Sequence, residues 1–255
     1  MRGRSVSLGG IRIRSYFFEE AGKNIQYAVY VPKKRDAAKS PLVIALHGRG
    51  VPPELMLREL TAAAKKGGYI VAAPMGYDLR SWYGAPPLGS TELSSDVAEL
   101  SEKDVLNVLE LMRKEFDVDE RRIYLVGQSM GGAGALHLGI KYRDIWAAIA
   151  ATAPAIPDAE PSGLESIRGM PVMLVHGDAD RAVAVERTRR WAGKMQELGM
   201  VCEYLEIKGG EHGSAIRVGA PHVFEFFDKH SKPEGKSAAD PEITQTIDSE
   251  QPQGG

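Results

Sequence analysis

The segment Ile123–Leu136, IYLVGQSMGGAGAL, carries the strongest signal in the chain. A run of β-formers, Ile123 to Val126, meets Gly127-Gln128-Ser129-Met130-Gly131, and small and helix-forming residues follow. A serine at the end of a strand, on a sharp turn into a helix, stands clear of the sheet. Such a turn leaves little room on either side, which accounts for glycine two positions before and two after. The N-terminus of the following helix presents backbone N–H groups to developing negative charge. This pattern predicts an activated serine nucleophile at Ser129.

Outward from this segment, strand and helix patterns alternate. Upstream lie two strand-like runs, Ile11–Phe18 and Ile25–Pro32, joined by EEAGKN, which reads as a hairpin. Pro41–Gly48 is a continuous apolar run, suited to a strand buried on both faces of a parallel sheet. Glu54–Lys66 reads as a helix and Tyr69–Pro74 as a strand. Ser101–Phe116 reads as a helix with Ser101 as N-cap, and Val105, Val108, Leu109 and Met112 form its apolar stripe. Downstream, Trp146–Thr152, Met170–Gly177 and Val201–Ile207 read as strands, Ala184–Leu198 and Gly219–His230 as helices. The expectation is an α/β protein with a mostly parallel, doubly wound sheet and an N-terminal antiparallel hairpin. Residues 1–10 form an extension and 11–230 one catalytic domain. The tail 231–255 is expected to be disordered, with docking of Glu242–Asp248 on a partner as the alternative.

Composition narrows the function. Of 255 residues, 43% are hydrophobic and 26% charged, with a formal net charge of -2, so neither nucleic acid nor an anionic membrane surface is an expected partner. The single cysteine, Cys202, excludes an intrachain disulfide and a cysteine-based metal site, and is expected as a small core residue. Neither a signal-peptide pattern nor a membrane-length apolar run is present, so a cytoplasmic protein is expected; a mature form with its signal removed would look the same.

A serine nucleophile needs a base, and the base needs an orienting carboxylate. On this architecture the chain order is Ser, Asp or Glu, then His. His137, His176, His212, His222 and His230 follow Ser129. Only His212, in KGGEHGS, lies in a glycine-rich loop between a strand and a helix; the others are read as structural. The acid is Asp178 or Asp180, both in HGDADRAV after a strand. Parallel strands put their C-terminal ends on one edge, so either carboxylate shares an edge with Ser129. LHGRG, Leu46–Gly50, can supply a second oxyanion donor beside the N–H of Met130, expected to be the N–H of Arg49 with that of Gly50 as the alternative, while the His47 side chain supports the turn.

Together PLVIALHGRG, DVDERRIYLVGQSMGGAGAL, PVMLVHGDADRAV, GGEHG and VFEFFDKH resemble the α/β-hydrolase superfamily. Within it the chain is similar to esterases of the feruloyl esterase and polyhydroxybutyrate-depolymerase-like group and to the phospholipase/carboxylesterases. SWYG, Ser81–Gly84, is similar to a tryptophan-containing active-site loop of the carboxylesterases. The resemblance places the acid on Asp180, with Val183 matching H-G-x-x-D-x-x-V, and implies a metal-free mechanism without a cofactor. It implies hydrolysis of a small-molecule short-chain or aryl ester through a Ser129–Asp180–His212 triad and an acyl-enzyme. Only Ala153–Met170 fills the gap where many lipases carry a lid, so an open cleft is expected. Trp82 and Tyr83 are candidates for an aromatic substrate wall, or for packing beneath a loop. Arg181, with Arg49 and Arg80, is a candidate for an electropositive rim favouring carboxylate or phosphate groups, or for a solvated loop residue. A peptidase or transacylase on the same triad, and a non-catalytic binding protein, are the rival functions.

Overall fold

The computed structural model describes residues 7–8, 10–33, 39–89, 93–159 and 161–234. Its centre is a nine-stranded sheet in the order β1-β2-β3-β5-β4-β6-β7-β8-β9. The strands are β1 (Ser7–Leu8), β2 (Ile11–Phe18), β3 (Lys23–Tyr30), β4 (Ser40–Leu46), β5 (Ile70–Pro74), β6 (Val118–Gln128), β7 (Ala148–Thr152), β8 (Val172–Gly177) and β9 (Cys202–Ile207). From β5 through β4 to β9 every pairing is parallel. The pairings among β1, β2, β3 and β5 are antiparallel. The mostly parallel sheet with an N-terminal hairpin is therefore present, and Ser7–Leu8 of the supposed extension adds a short edge strand.

The β4 sequence shows why the sheet is covered on both sides. Leu42, Ile44 and Leu46 pack into one apolar cluster, and Val43 and Ala45 into the other. With a side-chain period of two, an unbroken apolar run feeds both faces at once. Helices α2 (Ser95–Glu115), α3 (Met130–Lys141) and α4 (Val185–Glu197) contribute to the first cluster. Helices α1 (Pro53–Gly67) and α5 (Ser214–Asp228) cover the second. The predicted stripe of α2 is buried throughout: Val105, Val108, Leu109 and Met112 are at most 1% exposed.

Several boundaries differ from the sequence expectation. Helix α2 starts at Ser95, capped by Ser94, whose hydroxyl accepts from the Val97 N–H. Ser101 lies inside the helix and is buried; its hydroxyl donates to the Gly76 carbonyl and accepts from the Tyr83 N–H. A serine before an apolar stripe reads as a cap, but here it serves a tertiary contact. Helix α5 starts at Ser214 and carries Pro221 inside it. Proline favours a helix start, yet burial of Ala215 and Ile216 draws an earlier turn into the helix. The chain from Ser231 also stays against the domain at first, since the Lys232 N–H donates to Arg121 and its ammonium to the Ile145 carbonyl. The rest of the supposed tail, and the docking segment Glu242–Asp248, lie outside the described residues.

Between β7 and β8 the described residues form only a short 3-10 turn, Leu164–Ile167, and no large lid is present among the described residues. Cys202 is half-buried at the start of β9, and burial pushes its thiol up to about 11. Among the described residues no helix is long and apolar enough to cross a membrane.

Candidate active site

Register brings the site together before any side chain is considered. Leu46 pairs with Gly127, Gly127 with Ala151, Thr152 with Val175, and Gly177 with Ile207. The C-terminal ends of β4, β6, β8 and β9 thus share one edge. The segments that follow them hold Arg49, Ser129, Asp180 and His212.

Ser129 has φ 58° and ψ -116°, a left-handed conformation that strains any residue with a side chain. Its N–H donates to the Thr152 carbonyl at 2.9 Å, and its carbonyl accepts from Ala155 and Ala133. The flanking glycines have a spatial reason. A Cβ on Gly127 would come within 1.9 Å of the Gly131 carbonyl oxygen, and one on Gly131 within 2.1 Å of the Leu46 carbonyl oxygen. The elbow is folded back on itself and onto the end of β4, so no side chain fits at either position.

His212 Nδ1 lies 2.7 Å from Asp180 Oδ2. A carboxylate only accepts, so Nδ1 carries the proton and Nε2 keeps its lone pair free. The Asp180 side chain is wholly buried, while that of His212 is 31% exposed. Oδ1 of Asp180 accepts from the N–H groups of Ala182 and Val183 at 2.8 and 3.0 Å. Burial alone would push this carboxyl up; the Val183 amide, the His212 ring and the Ala182 amide outweigh it and hold the group below its ordinary range.

Asp178 does different work. Its carboxylate accepts from the Gly209 N–H at 2.6 Å and ties the loop before His212 to the end of β8. The two loops are also pressed together, because a Cβ on Gly177 would stand 2.1 Å from the Gly210 carbonyl oxygen. Of the two candidate acids, Asp180 alone meets a histidine.

Two side chains support this pair: His176, read from the sequence as structural, and Gln128, which the sequence did not single out. His176 is fully buried, with Nε2 3.1 Å from both Asp180 Oδ2 and the Val183 carbonyl. Facing two acceptors, Nε2 must carry the proton, and Nδ1 then accepts from the Thr188 hydroxyl at 2.7 Å. Burial pushes its pKa down and keeps it neutral. Gln128 donates through Nε2 to the His212 carbonyl at 3.0 Å, while its Oε1 meets the Thr152 hydroxyl at 2.5 Å. His176 stands four residues before Asp180, a spacing that carries no recognised motif, and Gln128 stands in the elbow itself but meets a partner 84 residues further on.

The turn after β4 lies over the serine: a Cβ on Gly48 would be 3.6 Å from Ser129 Cβ. The Gly50 N–H goes to the Leu79 carbonyl and that of Val51 to Gly48, leaving the Arg49 N–H without a backbone acceptor among the described residues. Met130 opens α3, so its N–H has no intrahelical acceptor either. His47 is buried, with ring nitrogens 2.9 Å from the Gly48 and Met75 carbonyls, and burial pushes its pKa down.

The remaining candidates are placed elsewhere. Trp82 is 5% exposed and Tyr83 fully buried, and neither lines the cleft. Both have positive φ, 59° and 54°. The Tyr83 hydroxyl accepts from the His47 N–H at 3.0 Å, so this turn props the end of β4 from beneath. Arg181 and Arg80 are exposed and also stand outside the cleft. The cleft, about 480 Å³, is lined by Ser129, His212, Gln128 and Arg49, together with residues of α1 and α5. Among the described residues no group of three or more His, Cys, Asp or Glu side chains is placed to hold a metal ion.

A mostly parallel sheet with a strained serine at a strand–helix turn, and a carboxylate–histidine pair on the same edge, defines the α/β-hydrolase class. Within that class the chain belongs to the "Putative esterase" family, whose model matches residues 19–212. It is 31% identical over 142 residues to the "Putative esterase NocK" of Nocardia uniformis subsp. tsuyamanensis, covering 55% of this chain and 40% of that one. It is 30% identical over 162 residues to the bifunctional acetylxylan esterase/xylanase XynS20E of Neocallimastix patriciarum, covering 63% of this chain and 22% of that one. The chain thus spans less than half the length of either relative. A crystal structure of a thermostable esterase superposes with a TM-score of 0.68 at 26% identity, over 88% of this chain and 64% of that one.

Proposed function

We propose that this protein is a serine carboxylesterase acting on short-chain or aryl esters. The observation that carries the reading is the 2.7 Å bond between His212 Nδ1 and the buried Asp180, in a cleft that also holds Ser129 on its strained turn. With Nδ1 committed to Asp180, His212 Nε2 is the base. It takes the Ser129 Oγ proton as Oγ attacks the ester carbonyl. Asp180 keeps the imidazole oriented and stabilises its charged form. The N–H groups of Met130 and Arg49 receive the oxyanion. His212 then protonates the leaving alcohol, and water resolves the acyl-enzyme by the same steps in reverse. His176 and Gln128 touch no reacting atom in this scheme; they position Asp180 and His212. The absence of a large lid among the described residues, and membership of an esterase family, favour small esters over long acyl chains.

The test is hydrolysis of p-nitrophenyl acetate, butyrate and octanoate by the wild type and Ser129→Ala. The wild type should turn over the short esters best, and the variant should lose roughly 10⁴-fold or more. Equal rates in the two proteins would rule out Ser129 as nucleophile.

A further inference from the structure

The cleft around Ser129 carries more positive charge than a neutral ester requires. Val51, Leu55, Met56 and Ile216 form its apolar wall. Arg49, Arg58 and Arg217 also line it, and Glu59 is the one carboxylate among the lining residues. The three guanidinium groups come from three separate elements: the turn after β4, helix α1 and the first turn of α5. All three residues are exposed, and none makes an ion pair among the described residues. Arg14, Arg113, Arg122, Arg189 and Arg190, by contrast, each meet a carboxylate.

The position of Arg217 points the same way. A helix N-terminus is a positive pole and disfavours a cation in its first turn. The first turn of α5 nevertheless holds Arg217 and no acidic residue. Helix α3 opens at Ser129 and adds a second positive pole to the site. Charge set against local helix stability, and left without an ion-pair partner among the described residues, is suited to an anion supplied from outside.

We infer that the cleft selects esters whose alkyl or aryl body carries an anionic group, a carboxylate or a phosphate. The inference rests on the esterase reading above and assigns its substrate class. The apolar body lies along Val51, Leu55 and Ile216, and the anion is held by Arg58 and Arg217. Guanidinium suits both anions, because its donors match two oxygens at once. At an exposed rim each arginine is worth roughly two- to fivefold in affinity, and the effect weakens as salt shortens the screening length.

The experiment compares 4-acetoxybenzoate and 4-acetoxyphenyl phosphate with the neutral 4-acetoxybenzamide, using wild type, Arg58→Gln, Arg217→Gln and the double variant. The wild type should favour an anionic ester in kcat/KM by about tenfold over the double variant's ratio. That preference should shrink in 0.5 M salt, while activity on the amide-bearing ester stays unchanged. The stronger of the two anionic arms tells carboxylate from phosphate. The same anion preference in the wild type and the double variant, insensitive to salt, overturns the inference. Equilibrium binding of 4-hydroxybenzoate and phenyl phosphate to the same proteins separates the two readings. If no ester is hydrolysed but the anions bind and the double variant loses them, the esterase reading fails and the anion site stands. If neutral esters are hydrolysed and the anions bind equally to all variants, the anion site fails alone.

Discussion

The molecule contains two buried carboxylates paired with histidine, Asp180 with His212 and Glu102 with His137, and their surroundings differ. Glu102 is 4% exposed and meets His137 Nε2 at 2.8 Å, the Lys141 ammonium at 2.5 Å and the Tyr142 hydroxyl at 2.8 Å. Burial pushes its pKa up, but these three partners outweigh it and bring it down to about 2. Its charge is therefore neutralised by a cation within its own shell. Among the described residues Asp180 meets no Lys or Arg. It is surrounded by the amides of Ala182 and Val183, the ring of His176 and the ring of His212. Neutral donors keep it ionised without cancelling its charge, so the charge remains available to an imidazolium on His212. The second difference is location. His212 shares a cleft with a strained serine, whereas Glu102 braces the turn at Gly84, where an added Cβ would stand 2.2 Å from its Oε1. A carboxylate–histidine pair alone does not mark a catalytic site; the proposal of Asp180–His212 rests on the partner of the carboxylate's charge and on the neighbour of the ring.

The sharpest way to break this contrast is to remove each charge in turn. Asp180→Asn should lower kcat by roughly 10³–10⁴-fold, because the amide no longer enforces the Nδ1–H tautomer of His212. Glu102→Gln should leave ester hydrolysis within a few-fold of wild type. A comparable loss in both variants would mean that the two pairs are not functionally distinct.

The Glu102 pair should show itself in stability instead. Its folded-state pKa, about 2, lies below the ordinary glutamate value of 4.5. The contribution is therefore complete above that ordinary value and fades as the pH falls toward 2. Urea unfolding at neutral pH should find Glu102→Gln destabilised, by roughly 1–3 kcal/mol, the range for losing a buried charged hydrogen-bond partner. The gap between wild type and variant should narrow steadily on acidification; a gap independent of pH would place its origin in packing rather than charge.

The smallest effect tests the support behind Asp180. Thr188→Val preserves shape but removes the donor to His176 Nδ1, freeing that ring to change tautomer and lose its bond to Asp180. A fall in kcat of about tenfold with KM unchanged is expected, in line with the loss of one buried hydrogen bond. If kcat holds and only the unfolding midpoint drops, Thr188 is purely structural.

Much of the fold and the central residues could be read along the chain because local rules govern them. The apolar run Pro41–Gly48 announces a strand buried on both faces, and Gly127-x-Ser129-x-Gly131 announces a turn too tight for side chains. Such features depend on backbone geometry and on side-chain periodicity, which neighbouring residues express directly. The order of serine, acid and histidine follows from a parallel sheet whose strand ends share one edge. Other features were decided only when distant segments met. Ser101 has the sequence context of a cap, yet its hydroxyl answers to Gly76 and Tyr83. Trp82 and Tyr83 have the composition of a substrate wall, yet packing places them beneath the site. Asp178 and Asp180 are equivalent by their position after a strand, and the family pattern favours Asp180; the loop from β9 gives the physical difference, the Gly209 amide on one and the His212 ring on the other. Arg58 and Arg217 carry no motif and meet only because α1 and α5 cover the same face of the sheet. The order of strands and helices and the serine on its tight turn were legible along the chain, because they rest on local periodicity and backbone geometry. Packing of residues far apart in sequence set which arginines line the cleft and which groups brace Asp180 and His212, and neither can be read from neighbours in the chain.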